Sequence, residues 1–267
     1  MKKYMLLNDM FNLSGKVILV TGGSGYLGKT MCEGLAEFGA TLIISSRNIE
    51  KNEEISNELS ERYGNPNYPL KLDIADSGDI KKNIDIIVQK LGKIDVLVNN
   101  AYYGAGKELL SMDDNEWKKG IDGSINSVYR CTKAILPYML ENNYGKIINI
   151  ASMYGMVSPD VSVYEDNDYY NPANYGAGKA AVIQLTRYVA GVYGKYGITS
   201  NSVSPGPFPN TEVQKNKKFI ELLENKVPIK RIGHPDDLKG VIVLLASNAS
   251  NYINGENIVV DGGWTIW

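Results

Sequence analysis

The sequence predicts an α/β protein built as one doubly wound parallel sheet with helices on both faces. Short apolar runs alternate with longer helical patterns through nearly the whole chain, and the first apolar run leads directly into a glycine-rich turn. The alternation contains no internal repeat or low-complexity linker, and α/β domains of up to about 250 residues are common. We therefore expect residues 1–267 to form a single domain.

The predicted elements follow one another as strand and helix. Strands are predicted at 17–20, 41–45, 69–72, 95–98, 146–151, 199–203 and 257–260, where short segments, several of them apolar, alternate with the helical patterns. Helical patterns predict one helix that ends at Phe38 and others at 50–63, 79–91, 114–140, 180–192 and 235–246. Residues 1–14 are expected to form an N-terminal extension. Continuous apolar runs of this kind are typical of strands that are buried on both faces.

Composition excludes several classes of function. The chain has 28 basic and 30 acidic residues and no basic block, so nucleic acid is not an expected partner. One histidine, His234, and two cysteines, Cys32 and Cys131, cannot supply a zinc-type ligand cluster, so no metal is expected. No apolar stretch approaches the roughly 18 residues of a membrane span. We expect a cytoplasmic protein that does not act at a membrane.

The first strand is followed by a glycine motif. Gly23, Gly25 and Gly28 fit the pattern G-x-G-x-x-G, and a helical pattern starts directly after them. Glycines in this position let the backbone approach a pyrophosphate and direct it to a helix N-terminus, where free N–H groups favour an anion. The strand, turn and helix together predict a dinucleotide-binding site.

The residues that follow the other strands are mostly small or polar. They are Ser45, Ser46, Arg47, Asp73, Ile74, Asn99, Asn100, Ala101, Tyr102, Ser152, Tyr154 and the segment from Ser204 to Phe208. Ligands of open parallel sheets bind beyond the carboxyl ends of the strands. These positions are therefore expected to form the rim of the cofactor site.

Tyr175 and Lys179 stand four residues apart at the head of a helical stretch. Positions i and i+4 lie on one face of a helix, so the phenol and the ammonium project side by side. The pKa of a free tyrosine is about 10, and a nearby cation favours the phenolate. The pair has the chemistry of a general acid/base, although the same spacing also occurs on many solvated helices.

Over residues 12–265 the combination of motifs resembles the single-domain branch of the short-chain dehydrogenase/reductase family. The motifs are the glycine turn, Asp73-Ile74, Asn99-Asn100-Ala101, Ser152, Tyr175-x-x-x-Lys179, Pro205-Gly206 and the tail from Tyr252 to Gly263. The resemblance implies a Rossmann-type fold and hydride transfer between a nicotinamide cofactor and a carbonyl or alcohol. The stretch 148–155 and the segment SPGPFPN are similar to the gluconate 5-dehydrogenase-like part of that family.

The resemblance also implies roles for individual residues. Tyr175 would exchange a proton with the substrate oxygen, Ser152 would bond that oxygen, and Lys179 would lower the pKa of Tyr175 and hold the nicotinamide ribose. The residues implied in cofactor binding are Thr21, Gly22, Gly23, Ser24, Gly25, Tyr26, Leu27, Gly28, Ser46, Arg47, Asp73, Ile74, Asn99, Asn100, Ala101, Tyr175, Lys179, Pro205 and Gly206. Those implied beside the substrate are Tyr102, Tyr154, Tyr164 and Phe208.

Two positions depart from the family pattern. The usual turn has its second glycine where this chain has Tyr26, and the spacing of Gly22, Gly25 and Gly28 is closer to that of sugar-nucleotide epimerases. The helix position that usually carries an asparagine of the proton relay is Ser124. We expect Ser124 to fill that relay, either directly or through a water.

A third departure is an insertion at residues 159–172, which separates Ser152 from Tyr175 by 23 positions. It is rich in tyrosines and acids, among them Tyr164, Glu165, Asp166 and Asp168. Either it is a solvated loop or it forms a polar and aromatic wall beside a hydroxyl-rich substrate. The segment 210–226 would cover the site as a lid, and its lysines 215, 217 and 218 either attract a substrate carboxylate or lie on a solvated face.

The cofactor preference can be predicted from the end of the second strand. An acid there would bond the adenosine 2′-OH, whereas Arg47 can accommodate a 2′-phosphate, so NADP is favoured and NAD remains possible. The predicted substrate is a sugar acid, keto sugar or polyol. The alternatives are a sugar-nucleotide epimerase or dehydratase and a non-catalytic dinucleotide-binding protein. The resemblance implies a homotetramer or homodimer, with the C-terminal Trp264 and Trp267 near an interface.

Overall fold

Seven parallel strands form one sheet in the computed structural model, which describes residues 4–104, 106–164 and 169–266. The strands are β1 (Val17–Thr21), β2 (Thr41–Ser46), β3 (Asn67–Lys71), β4 (Val96–Asn99), β5 (Gly145–Ile150), β6 (Ile198–Pro205) and β7 (Asn257–Val260). Their order across the sheet is β3-β2-β1-β4-β5-β6-β7. The predicted doubly wound parallel sheet is confirmed.

Helices fill the connections between the strands. They are α1 (Leu7–Phe11), α2 (Tyr26–Glu37), α3 (Ile49–Tyr63), α4 (Ser77–Leu91), α5 (Asp114–Ile121), α6 (Ser127–Glu141), α7 (Val161–Tyr164), α8 (Ala173–Tyr193), α9 (Lys217–Lys226) and α10 (Lys239–Ala246). In the part of the chain that the structure describes, none of these helices is both long and apolar enough to cross a membrane.

Two apolar cores lie on opposite faces of the sheet. Ile18 and Val20 of β1 pack with α2, α3 and α10, whereas Val17 and Leu19 pack with α4, α6 and α8. Successive side chains of a strand point to opposite faces, so a strand that is covered on both sides is apolar at every position. This is why β1 begins as the continuous apolar run 17–20 rather than as an alternating pattern.

The predicted helix 114–140 is divided in the structure. A π-helical turn at Asp122–Asn126 separates α5 from α6. Asp122 is held there by Arg130 and by the Tyr103 hydroxyl. The wider turn brings Gly123 against the Tyr103 carbonyl, so closely that a β-carbon would overlap it. These contacts come from a distant part of the chain, so the local helical pattern could not reveal the break.

Trp264 corrects another expectation. Its side chain is only 8% exposed and packs with Phe219, Leu223 and Met153. It therefore buttresses helix α9 from within the same chain instead of presenting an exposed surface. Trp267 lies outside the described residues.

The chain reverses its direction of winding between β1 and β4. The first three strands run outward to one edge, and the chain then returns to place β4 beside β1. The connections above β1 and β4 consequently leave in opposite directions, and a crevice opens between them at the carboxyl ends of the strands. The glycine turn and the Asn99-Asn100-Ala101 segment lie on the two sides of this crevice.

Lys146 is a buried lysine at the opposite end of the sheet. It is 2% exposed, and its Nζ donates to the Ser250 hydroxyl at 3.1 Å. Burial and the nearby charge of Lys16 lower the pKa of Lys146 from 10.5 to about 8. Below pH 8 the folded and unfolded chains both carry this proton, and the folded chain bears the whole cost of burying the charge.

We predict that Lys146→Met stabilises the protein at pH 7. The difference between the two pKa values corresponds to about 3 kcal/mol, from which the lost hydrogen bond subtracts about 1 kcal/mol. As the pH rises above 8, the folded chain releases the proton and the advantage of the variant declines. Urea unfolding at pH 7 and pH 9.5 measures this difference. Lys195→Met, at an exposed position, is the control, and an equal gain at both pH values would contradict the prediction.

Candidate active site

The glycine turn is shaped by two positions where only glycine fits. Gly22 has a φ of +65°, and a β-carbon on Gly28 would lie 2.0 Å from the Gly22 carbonyl oxygen. The N–H of Gly25 donates to that same oxygen at 3.0 Å. The turn is therefore tight enough for α2 to begin at Tyr26, with its N-terminus directed at the crevice.

A cavity of about 650 Å³ occupies the crevice. It is lined by Gly22, Ser24, Gly25, Tyr26, Leu27, Gly28, Ser45, Ser46, Arg47, Lys51, Leu72, Asp73, Ile74, Asn100, Ala101, Tyr102, Tyr103 and Asn210. Most residues predicted for cofactor binding are thus brought together in one place. The volume lies within the range of about 300–1,000 Å³ that is usual for ligand and cofactor sites.

Thr21, Gly23, Asn99 and Pro205, which were also predicted to contact the cofactor, do not line this cavity. The Thr21 hydroxyl is buried, and it accepts hydrogen bonds from the N–H groups of Asn100 and Ala101, both at 3.1 Å. A β-carbon on Gly23 would meet Ile44 at 2.9 Å. These residues lie beneath the surface of the crevice. They are packed against the core, so they support the residues that line the crevice.

Asn99 belongs to a buried polar chain beneath the sheet. Its Nδ2 donates to Asn149 Oδ1 at 2.8 Å, and Asn149 Nδ2 donates to the Thr186 hydroxyl of α8 at 2.9 Å. Sequence reasoning did not identify Asn149 or Thr186. A signal was present, since Asn149 interrupts the apolar run 147–151 and must find a partner when it is buried.

The adenosine end of the cavity combines a fixed serine with two cations. Ser24 donates to the Ser46 hydroxyl at 2.8 Å, and Ser46 donates to Asn52 Oδ1 at 2.6 Å. Arg47 and Lys51 project from the rim at exposed positions, and neither forms an ion pair with any residue in the described ranges. The charges of both side chains are therefore available to an anionic ligand.

Ser152, Tyr175 and Lys179 come together above β5. Ser152 and the Tyr175 phenol line the same cavity, and Lys179 Nζ lies 5.6 Å from the centre of the Tyr175 ring. Burial raises the pKa of Tyr175, and the Ser152 hydroxyl beside it offsets only part of that effect. The expected lowering of the Tyr175 pKa by Lys179 is therefore not found in the protein alone, because burial of the phenol is the larger influence.

Lys179 is itself buried, and its ammonium donates to the Ile150 carbonyl at 2.7 Å. Burial lowers the pKa of Lys179 to about 8. Ser124 lies against the same helix, where it fills the space beside Gly178. Its hydroxyl donates to the Gly120 carbonyl at 2.7 Å, so any link toward Lys179 would use the acceptor lone pairs of that hydroxyl.

A second cavity, of about 290 Å³, opens beside Tyr175. It is lined by Ser152, Met153, Tyr154, Tyr164, Tyr169, Tyr170, Asn171, Tyr175, Gly206, Pro207, Phe208, Pro209, Val213, Phe219 and Leu223. The predicted substrate residues Tyr154, Tyr164 and Phe208 are among them. Tyr102 stands between the two cavities, with its ring edge-on to Tyr175 at 5.2 Å between centroids.

The described part of the insertion forms one wall of this second cavity. Tyr154 and Tyr164 hydroxyl oxygens are 2.5 Å apart, and Asn171 Nδ2 donates to the Tyr164 hydroxyl at 2.6 Å. Glu165, Asp166 and Asp168, which were named as part of the insertion, lie outside the described residues. Sequence reasoning did not single out Asn171, because nothing local shows that it folds back onto Tyr164.

The predicted lid closes the second cavity from above. Phe219 and Leu223 of α9 face the cavity, and the Phe219 ring packs on Tyr169 with 4.7 Å between centroids. Gln214 Nε2 donates to the Tyr26 hydroxyl at 3.0 Å, so the tyrosine that replaces a family glycine contacts the lid. Lys215 pairs with Glu212 at 2.6 Å on the surface, which favours the interpretation of a solvated face.

Comparisons with known proteins agree with this geometry. The family model described as enoyl-(acyl carrier protein) reductase matches residues 24–265. The 2-dehydro-3-deoxy-D-gluconate 5-dehydrogenase of Dickeya dadantii is 34% identical over 97% of this chain and 99% of its own length. The 3-oxoacyl-(acyl-carrier-protein) reductase of Thermotoga maritima is 33% identical over 95% of this chain and 99% of its own length.

A solved structure shows the same architecture. The gluconate 5-dehydrogenase of Burkholderia cenocepacia, in complex with NADP and tartrate, superposes with a TM-score of 0.88 at 30% identity, and the match covers 98% of this chain and all of that one. Relatives at this identity and coverage, together with a family model that spans nearly the whole chain, show that the protein belongs to the short-chain dehydrogenase/reductase family.

Proposed function

We propose that the protein is an NADP-dependent oxidoreductase that interconverts a carbonyl and a secondary alcohol, with Tyr175 as the general acid/base. One observation carries the proposal. The Tyr175 phenol and Ser152 line the smaller aromatic cavity, and Tyr102, which lines the dinucleotide-sized crevice, packs edge-on against the Tyr175 ring. Such a position suits proton exchange with a substrate in one cavity while hydride is exchanged with a cofactor in the other.

The crevice fits a dinucleotide phosphate. The glycines at 22, 25 and 28 let the turn close tightly on itself, so that the N-terminus of α2 is directed into the crevice where a pyrophosphate would bind. Arg47 and Lys51 would bind a 2′-phosphate, with Ser46 beside them. When bound, NADP(H) supplies the hydride. The NADP complex of the Burkholderia relative supports this cofactor.

Residues of the chain would donate the proton to the substrate oxygen and stabilise the negative charge that develops on that oxygen. Because burial raises the pKa of Tyr175, the phenol is protonated near neutral pH and is ready to donate to a substrate carbonyl oxygen. Ser152 supplies a second hydroxyl donor to the same oxygen, and the Lys179 ammonium adds positive charge nearby. Ser124 remains a proposed member of the proton path. The lid would exclude water from this centre.

The proposed substrates are sugar acids, keto sugars or polyols, as the names of the gluconate-type relatives suggest. A second candidate is the reduction of a 3-oxoacyl thioester, because the Thermotoga relative carries that name. The hydroxyl-rich wall of the second cavity favours the first class, since a purely acyl pocket would present an apolar surface. Assembly as a homotetramer or homodimer and a cytoplasmic location remain predictions.

We predict that the purified protein oxidises NADPH in the presence of a keto sugar or keto acid. Loss of absorbance at 340 nm measures the reaction, with acetoacetyl-CoA testing the thioester alternative. Tyr175→Phe should lower kcat at least about a hundredfold by removing the proton donor, while the Kd for NADPH stays within about twofold. A protein that binds NADPH and reduces none of these carbonyls would refute the proposal.

We predict that Arg47 determines the preference for NADPH over NADH. Arg47→Ala should raise the Kd for NADPH about tenfold or more, because a charge-assisted bond to the 2′-phosphate is lost, and should leave the Kd for NADH nearly unchanged. Quenching of tryptophan fluorescence by each cofactor measures both constants. Lys195→Ala, far from the crevice, is the control. Equal weakening for both cofactors would contradict the assignment.

The rate of reduction should depend on pH through Lys179. Below about pH 8 the lysine is charged and Tyr175 is protonated, so kcat/KM for reduction should be constant there. Above that pH the ammonium loses its proton and the rate should fall. Lys179→Met should give a low rate without this step. A profile that stays level to pH 10 in the unmodified enzyme would show that the charge of Lys179 is not needed.

A further inference from the structure

The Tyr154–Tyr164–Asn171 chain leaves one hydrogen-bond donor unused. Asn171 Nδ2 donates to the Tyr164 oxygen, and the two phenol oxygens are 2.5 Å apart, a distance that places one hydrogen between them. Each phenol has one hydrogen to donate. Whichever tyrosine donates to the other, the second phenolic hydrogen has no acceptor among the described residues.

The same chain also offers an acceptor. The Asn171 side-chain oxygen accepts no hydrogen bond from any residue in the described ranges, and it lies beside the phenols in the lining of the second cavity. Burial raises the pKa of both Tyr154 and Tyr164, so their hydrogens are retained at neutral pH. An alcohol both donates and accepts, whereas a carboxylate only accepts.

These groups are next to the reacting centre. Tyr154 follows Ser152 by two residues, and its N–H donates to the Ser152 hydroxyl oxygen at 3.2 Å. Ser152 and Tyr175 line the same cavity as the two phenols. A substrate whose carbonyl oxygen binds Ser152 and Tyr175 therefore extends its neighbouring carbons toward the two phenols and Asn171.

The charge of the cavity does not suit an acid. Among the described residues that line it, none is charged. The insertion at 159–172 contains four acidic residues and no basic one. Asp160 of that segment already pairs with Lys226 of the lid. A substrate carboxylate beside Tyr154, Tyr164 and Asn171 would find no basic side chain among the described residues of the cavity lining, so the transfer of its charge from water would not be offset there.

We propose that Tyr154, Tyr164 and Asn171 recognise a hydroxyl group adjacent to the reacting carbon, and that the substrate is a neutral polyhydroxylated ketone or its alcohol rather than a sugar acid. The inference rests on the proposed oxidoreductase function and narrows its substrate class. The three residues are specificity determinants: they contact the substrate away from the atoms that react.

The test compares four ketones, which represent three classes, with NADPH. D-fructose and L-sorbose represent the neutral ketoses, 5-keto-D-gluconate the sugar acids, and cyclohexanone a ketone without hydroxyls. The enzyme should show a higher kcat/KM with a ketose than with the acid. Tyr154→Phe and Tyr164→Phe should each lower kcat/KM for the ketose about tenfold, mainly by raising KM. For cyclohexanone, kcat/KM should stay within about twofold of the value for the unmodified enzyme. The double variant should lose little more than either single one, because the phenols act as a unit.

Tyr188→Phe, at an exposed position on α8, is the matched control and should leave kcat/KM unchanged for both the ketose and cyclohexanone. A higher kcat/KM for 5-keto-D-gluconate than for the ketoses would overturn the inference, and so would equal losses for cyclohexanone and ketose in the variants. Both results would leave the proposed oxidoreductase function intact. Failure to reduce any ketone, by contrast, would refute that function and the inference with it.

Discussion

The hydrogen bond from the Lys179 ammonium to the Ile150 carbonyl fixes the geometry of the proposed catalytic residues, because it joins the helix that carries Tyr175 to β5, which ends two residues before Ser152. The helix can come that close because Gly155 and Gly178 have no side chains. A β-carbon on Gly155 would meet the Lys179 backbone at 2.8 Å, and one on Gly178 would overlap the Ser124 hydroxyl. A small displacement of α8 would separate the phenol from the serine.

Beneath the sheet, a second set of polar contacts holds the same helix. The Asn99–Asn149–Thr186 chain links β4, β5 and α8 through the apolar core. Buried polar groups must find partners in one specific arrangement, so such a chain fixes the register of the layers more strictly than apolar packing does. Helix α8 is therefore held near its N-terminal end, at Lys179, and in its middle, at Thr186. Neither set of contacts uses the Tyr175 hydroxyl, which stays available to a ligand.

The second cavity shows how segments distant in sequence build a site together. Tyr154 comes from the end of β5, Tyr164 and Asn171 from the insertion, and Phe219 from the lid. The insertion packs under α9 through aromatic contacts and through the pair of Asp160 with Lys226. The described part of the insertion and helix α9, which form a wall and the cover of the second cavity, are consequently parts of one packed unit.

The sequence by itself determined the fold class, the order of the strands and helices, and the principal candidate residues, because hydrophobic period and glycine positions are local properties. It also placed Ser152, Tyr175 and Lys179 together through the family resemblance. Only the tertiary structure decided the direction of the Tyr175 pKa shift, the inward orientation of Asn99 and the pairing of Tyr154 with Tyr164 and Asn171. Burial and contacts between distant segments exist only once the layers have packed, so no spacing along the chain could reveal them.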